Sequence, residues 1–317
     1  MGNLSCHCVE GKSTDRGVEV SVPGQRKVES QPVFEVDTAE LKTEICMPEF
    51  TNLIPRMPIS QNVLSVWNLL PPFEYSSEVK GTYKEEVTKL KDGSVYVGEK
   101  LDNKPHGRGF QVVNDGSLLE CHWRRGRANG RGRIIYNNGD YYLGEFLNGR
   151  VHGLGTLVNI KGAMYKGHWE NEKQSGKGTE TWPDGAKYEG DFKEGCKSGH
   201  GVFTWGDGSK YEGEFYKSKI EGFGTYEWSD GRKYIGEWKD NQMEGKGTYK
   251  FPDGRVYQGQ YYQDKKHGHG TYKWPDGRMY RGAWSKGKQH GVGWYKALNG
   301  KERQGEWIEG KRVRWLD

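Results

Sequence analysis

The residues best suited to chemistry stand at the very start, in Met-Gly-Asn-Leu-Ser-Cys-His-Cys. Gly2, once the initiator Met is removed, is an acceptor for N-myristoylation, and Cys6 and Cys8 lie where a second acyl chain is commonly added. The myristoylation rule also asks for Ser or Thr in sixth place, where this chain has Cys6 after Ser5. One myristoyl chain holds a protein to a bilayer only marginally, so a second lipid signal beside it is physically coherent. Two other readings stay open: a terminus that begins Met-Gly by accident, and a Cys-x-Cys metal site. Elsewhere, His106, His152, His267 and His290 each precede the first glycine of a Gly-x-Gly pair. They are equivalent copies spread along the chain, whereas catalysis needs groups that converge. The Gly-x-Gly pairs look like dinucleotide loops, but a strand pattern follows each one instead of the helix whose N-terminus would hold a phosphate. Carboxylates such as Glu189 and Asp191 are expected to point to opposite sides or into water, without a partner. With no nucleophile elbow, Walker loop or metal cluster in the sequence, the reading is non-enzymatic, with no cofactor and no metal.

The elements that carry these residues repeat. A turn glycine, preceded by Asp in most copies, recurs every 23 residues at Gly93, Gly116, Gly139, Gly162, Gly185, Gly208, Gly231, Gly254, Gly277 and Gly300. A fixed period of this size means a stacked array and overrides a division into two globular domains by length. Residues 183–205 show the unit: Tyr188, Gly190 and Phe192 alternate along one strand, and Gly199, Gly201, Phe203 and Trp205 along the next. Period two places each set on one face, with Lys187, Glu189, Asp191 and Lys193 on the other. Asp-Gly supplies the tight turn, because Gly takes a positive φ without steric cost. The glycines on the packed face are expected to vacate space for an aromatic ring of the neighbouring strand. The fold expected is all-β: an elongated, single-layer antiparallel array of hairpins.

The pattern in 230–251, DGRKYIGEWKDNQMEGKGTYKF, resembles the MORN repeat, named for membrane occupation and recognition nexus. The resemblance spans residues 92–317 in ten in-phase copies. It departs at the ends, with Lys100 for the second aromatic in the first copy, Leu119 and Cys121 for Tyr and Gly in the second, and Arg303 for Tyr in the last. Terminal units of a solenoid are expected to be atypical. The resemblance implies a scaffold at membrane–cytoskeleton junctions, cilia or phosphoinositide-rich membranes, with protein partners and self-association as a homodimer. It also leaves room for a regulatory or targeting subunit of a separate enzyme such as a phosphoinositide kinase, and for a soluble axonemal component.

Of the whole chain, 33% is hydrophobic and 29% charged, and the mean hydropathy is −0.97. That is poor for a two-layer core and suits an array with one wet face. Five cysteines, odd in number and without framework spacing, point to a reducing compartment. Residues 1–61, proline-containing and without periodicity, read as a mostly disordered, acylated tail. Residues 62–91 read as a degenerate strand and cap over the open sheet edge, and 92–317 as the array. Basic residues bunch at Arg124, Arg125, Arg127, Arg131 and Arg133, and again at Lys311, Arg312 and Arg314. Such patches suit an anionic membrane surface, where each cation is worth about 1 kcal/mol, or an acidic protein. Nucleic acid fits poorly, since its single-strand readers interleave exposed aromatics with cations. The expected place is therefore the cytoplasm, peripheral on a membrane face.

Overall fold

A computed structural model of the chain describes residues 52–75 and 87–317. Contacts divide the chain into two units, one ending at Pro183 and the other running from Asp184 to Asp317, with the tip Lys193–Gly195 counted in the first. The tail with Gly2, Cys6 and Cys8, and residues 76–86 of the expected strand and cap, lie outside the described residues.

The first unit opens with a 3-10 turn at Ile54–Arg56 and a helix, α1 (Gln61–Leu69). Nine strands follow: β1 (Thr88–Lys89), β2 (Val95–Leu101), β3 (Lys104–Val112), β4 (Leu118–Arg124), β5 (Arg127–Ile135), β6 (Tyr141–Leu147), β7 (Arg150–Val158), β8 (Met164–Glu170) and β9 (Lys173–Thr181). The second unit holds β10 (Lys187–Lys193), β11 (Cys196–Thr204), β12 (Lys210–Tyr216), β13 (Lys219–Glu227), β14 (Lys233–Lys239), β15 (Gln242–Lys250), β16 (Val256–Tyr262), β17 (Lys265–Lys273), β18 (Met279–Ser285), β19 (Lys288–Lys296), β20 (Glu302–Ile308) and β21 (Lys311–Trp315). Within each unit the strands run antiparallel beside their sequence neighbours, as in β4–β5 and β14–β15. This is the all-β hairpin fold that the period predicts.

Turn chemistry fixes the register. At the start of most repeats a side-chain carboxylate or amide accepts from the backbone N–H two residues on, as Asp207 does from Ser209 (2.8 Å) and Asp253 from Arg255 (3.1 Å). The glycine between sits at φ +87° in Gly208 and +86° in Gly254, the left-handed region that a Cβ disfavours.

The start of the first unit departs from the sequence expectation. Residues 61–69 form a helix where the reading gave a degenerate strand, and packing begins at Ile54, inside the stretch assigned to the tail. Ser60 caps the helix by accepting from Val63 N–H (3.2 Å), and Pro71-Pro72 prevents its continuation. The segment covers a face of the sheet, not its edge: Ile54 and Val63 lie against Val97, Phe110, Val112, Leu118 and Ile135, all buried. The sheet edge is met instead by β1, which pairs with β2 through Thr88 and Lys89. An apolar run as short as Val63–Phe73 does not declare helix or strand by period alone; the apolar floor beneath it decides.

Candidate interaction surface

One packing motif builds the array. The hydroxyl of each repeat tyrosine donates to the carbonyl three residues ahead: Tyr188 to Asp191 (3.0 Å), Tyr211 to Glu214 (3.1 Å), Tyr234 to Glu237 (3.0 Å). The ring therefore lies back over two glycines. A Cβ on Gly190, or on Gly201 of the adjacent strand, would come within 2.5 Å of the Tyr188 hydroxyl. The vacated space is thus filled by a ring of the same strand as well as a neighbouring one. Most of these tyrosines also meet two aromatics edge to face, one in their own repeat and one in the next, as Tyr211 meets Phe215 (5.2 Å) and Trp238 (5.7 Å). Burial holds these hydroxyls above the usual tyrosine range, so they remain neutral donors. Trp indoles complete the row, as Trp238 Nε1 donates to the Gly224 carbonyl (3.4 Å).

The sequence reading missed what stands opposite the first glycine of each Gly-x-Gly pair. In β12–β13, Glu214 alone faces Glu221, Gly222 and Phe223, a bulge of three residues against one. The carboxylate folds over the bulge and accepts from Phe223 N–H (3.4 Å); Glu99 accepts from Arg108 N–H (2.8 Å), Glu237 from Lys246 N–H (3.2 Å) and the Gln260 amide from His269 N–H (2.8 Å). These are structural plugs rather than acids awaiting a substrate. The signal was present as the recurrent Glu or Gln after the strand's central glycine. Glu189 and Asp191 likewise lie two apart on one strand, hence on one face, and Glu189 pairs with Lys187 (2.9 Å).

The second face differs between units. In the second unit it carries exposed pairs such as Lys210–Glu212 (3.0 Å). Under α1 it is apolar and holds a buried ion pair: Arg133 Nε donates to Glu120 (2.8 Å), and Arg133 Nη1 to the Pro71 carbonyl (2.7 Å). Burial raises the Glu120 pKa, with Arg133 opposing.

This corrects one predicted basic patch. Arg133 is 4% exposed and engaged, so it belongs to the core. Arg124, Arg125 and Arg127 stand together at the β4–β5 tip, exposed and without an ion pair among the described residues, while half-exposed Arg131 faces Glu145 across β5–β6. Successive tips are tied together, Gly126 N–H to the Pro105 carbonyl and Gly149 N–H to that of Ala128 (both 2.8 Å). Leu101 and Leu147 on the flanking tips are 49% and 48% exposed. At the other end, Arg314 is tied to Glu306 (2.8 Å) and Arg312 lies over the Trp315 ring (4.1 Å), leaving Lys311 exposed. His106, His152, His267 and His290 stay in separate hairpins. Among the described residues no group of three or more His, Cys, Asp or Glu could hold a metal, and no helix is long and apolar enough to cross a membrane.

The MORN repeat model matches nine segments, 96–117, 122–141, 142–164, 165–187, 188–210, 211–231, 234–254, 257–277 and 280–301, together more than half of the chain. The chain belongs to the MORN repeat family. Ten turn glycines thus bound nine complete MORN units, and the last, with Arg303 for Tyr, ends in the short β21. No curated protein matches the sequence significantly. Among solved structures, the TCP10 domain of Danio rerio CPAP is similar at 12% identity and a TM-score of 0.36, over 62% of this chain and 94% of that one. The TCP domain of SAS-4 (dCPAP) from Drosophila melanogaster, solved in complex with a proline-rich motif of Ana2 (dSTIL), gives 13% and 0.31, over 61% and 97%. Both likenesses are too weak to carry a conclusion about this MORN chain.

Proposed function

We propose that this MORN protein is a non-enzymatic scaffold held at a cytosolic membrane face, acylated at Gly2 and at Cys6 or Cys8, whose repeats engage protein partners. The observation that carries the membrane part is the tip row of the first unit, where three unpaired arginines stand between two exposed leucines. Cations near an anionic surface contribute about 1 kcal/mol each, and a leucine beside them can enter the headgroup boundary, so the row supplies the second signal that a single acyl chain needs. The repeats support the scaffold part: their chemistry-bearing side chains are consumed in hydrogen bonds and ion pairs that recur from hairpin to hairpin and do not converge.

Three measurements test this. Mass spectrometry of the N-terminal peptide from cells should show the acyl mass on Gly2, and Gly2→Ala should leave the membrane fraction. Unacylated full-length protein should cosediment with vesicles containing phosphatidylserine and phosphatidylinositol bisphosphate, but not with neutral ones. The triple variant Arg124→Glu, Arg125→Glu, Arg127→Glu should abolish that binding. Equal binding of the variant, or a Gly2→Ala protein that stays on membranes, would sink the lipid mechanism while leaving the partner-binding role standing.

A further inference from the structure

Between β12 and β19 the row of plugs is broken once. Glu214, Glu237 and Gln260 each accept from the backbone N–H nine residues on, at Phe223, Lys246 and His269. In the hairpin of β18 and β19 the same position is Ala283, which alone faces His290, Gly291 and Val292 across the bulge. A methyl group cannot accept, and among the described residues no side chain accepts from Val292 N–H. The alanine also leaves the bulge open. A Cβ on Gly222, Gly245 or Gly268 would strike the plug oxygen at 2.4, 2.2 or 2.1 Å, whereas one on Gly291 would meet only the Ala283 methyl, at 3.6 Å.

The side chains around this opening are apolar and cationic. Val292 is 48% and Trp294 39% exposed, and the phase that Trp294 occupies is held by threonine in the three preceding repeats, at Thr225, Thr248 and Thr271. Arg281 stands opposite Trp294, exposed and without an ion pair among the described residues. Glu306, opposite Val292 on β20, is already tied to Arg314 (2.8 Å). The first unit shows what such a surface takes. There Gly130, facing His122, is open as well, and that repeat lies under the α1 segment, with Tyr75 against His122 (5.7 Å) and Arg133 Nη1 on the Pro71 carbonyl (2.7 Å). Phe110, at the phase of Trp294, is fully buried there.

We propose that the open bulge of β18–β19 is a docking site for an acidic, apolar segment of a protein partner, an inference that rests on the partner-binding reading of the repeats. A glutamate or aspartate of that segment takes the seat that Glu214 and Glu237 fill in their own repeats, accepting from Val292 N–H beside the Arg281 guanidinium. An apolar side chain next to it covers Trp294 and Val292. The chain's own plugs define the chemistry: a carboxylate or amide oxygen suits the seat, and the unpaired cation beside it favours the carboxylate.

The test selects a phage-displayed library of random peptides on the full chain, then measures the affinity of each enriched peptide for that chain and for three variants. Enriched peptides should carry Glu or Asp next to an apolar residue. Ala283→Glu restores the plug of the neighbouring repeats, so it should fold and abolish their binding. Arg281→Glu and Trp294→Ala should each weaken it at least about tenfold. Without any peptide, Val292 N–H should exchange with solvent about fivefold faster in the natural chain than in Ala283→Glu. Peptides that bind Ala283→Glu equally well, binders that lack a carboxylate, or a Val292 exchange rate that Ala283→Glu leaves unchanged would each overturn this site while leaving partner binding elsewhere on the repeats standing. A selection that enriches no peptide would remove the partner-binding reading with it.

Discussion

The hairpins beneath α1 and those of β12–β15 share strand length and turn, yet they solve burial differently. Around Val97, Phe110 and Leu118 both faces are dry, and a helix forms the second layer. Around Lys210 and Glu212 only the aromatic face is dry, and the other is a lattice of exposed ion pairs. The backbone is indifferent to the choice. The residues beside the tyrosine on its own strand, and those paired with them on the next, decide whether a repeat makes one layer or two, since alternation sends them to the second face.

That contrast can be broken at several points. Tyr211→Ala should cost about 3 to 5 kcal/mol, because both the ring and its contacts to Phe215 and Trp238 go; chemical denaturation would show it, and a loss below 1 kcal/mol would mean that the ladder does not hold the second unit. Arg133→Ala should cost about as much, roughly 3 to 5 kcal/mol, by stranding the Glu120 carboxylate in a dry site, with faster amide exchange in 61–69. Val63→Ala should cost about 2 kcal/mol and loosen the helix, but leave exchange in β12–β15 unchanged. A pH effect is expected in the second unit above about pH 8, because burial and the nearby Arg255 oppose the charge on Lys266. Lys266 has a depressed folded pKa, so the folded state sheds its proton first, and stability should rise between about pH 8 and 9.5. Lys266→Met should flatten that rise, read by denaturation midpoints across the range. Smallest of all, Lys210→Ala should change stability by at most about 1 kcal/mol, because its pair with Glu212 is open to solvent. An Arg133→Ala effect no larger than this would erase the distinction between the two faces.

Much of this was legible in the residues. The period, the Asp-Gly turns and the alternation of Tyr188, Gly190 and Phe192 are local signals that dihedral preference and pleat translate directly into hairpins. The helix at 61–69 was not, because its stability comes from an apolar floor contributed by strands tens of residues away. Arg133 read as one more surface cation for the same reason: Glu120 and the Pro71 carbonyl become its partners only after the sheet and the covering segment meet.

The strands from β2 to β20 alternate strictly between seven and nine residues. Dropping a single amino acid inside one of them would turn every later side chain of that strand inside out, putting lysines among the rings and rings into water. A chain built this way cannot grow or shrink gradually. It gains or loses a whole 23-residue module, and a deletion of one complete module should give a shorter protein with the same stacking rules, whereas a deletion of 22 or 24 residues should not fold.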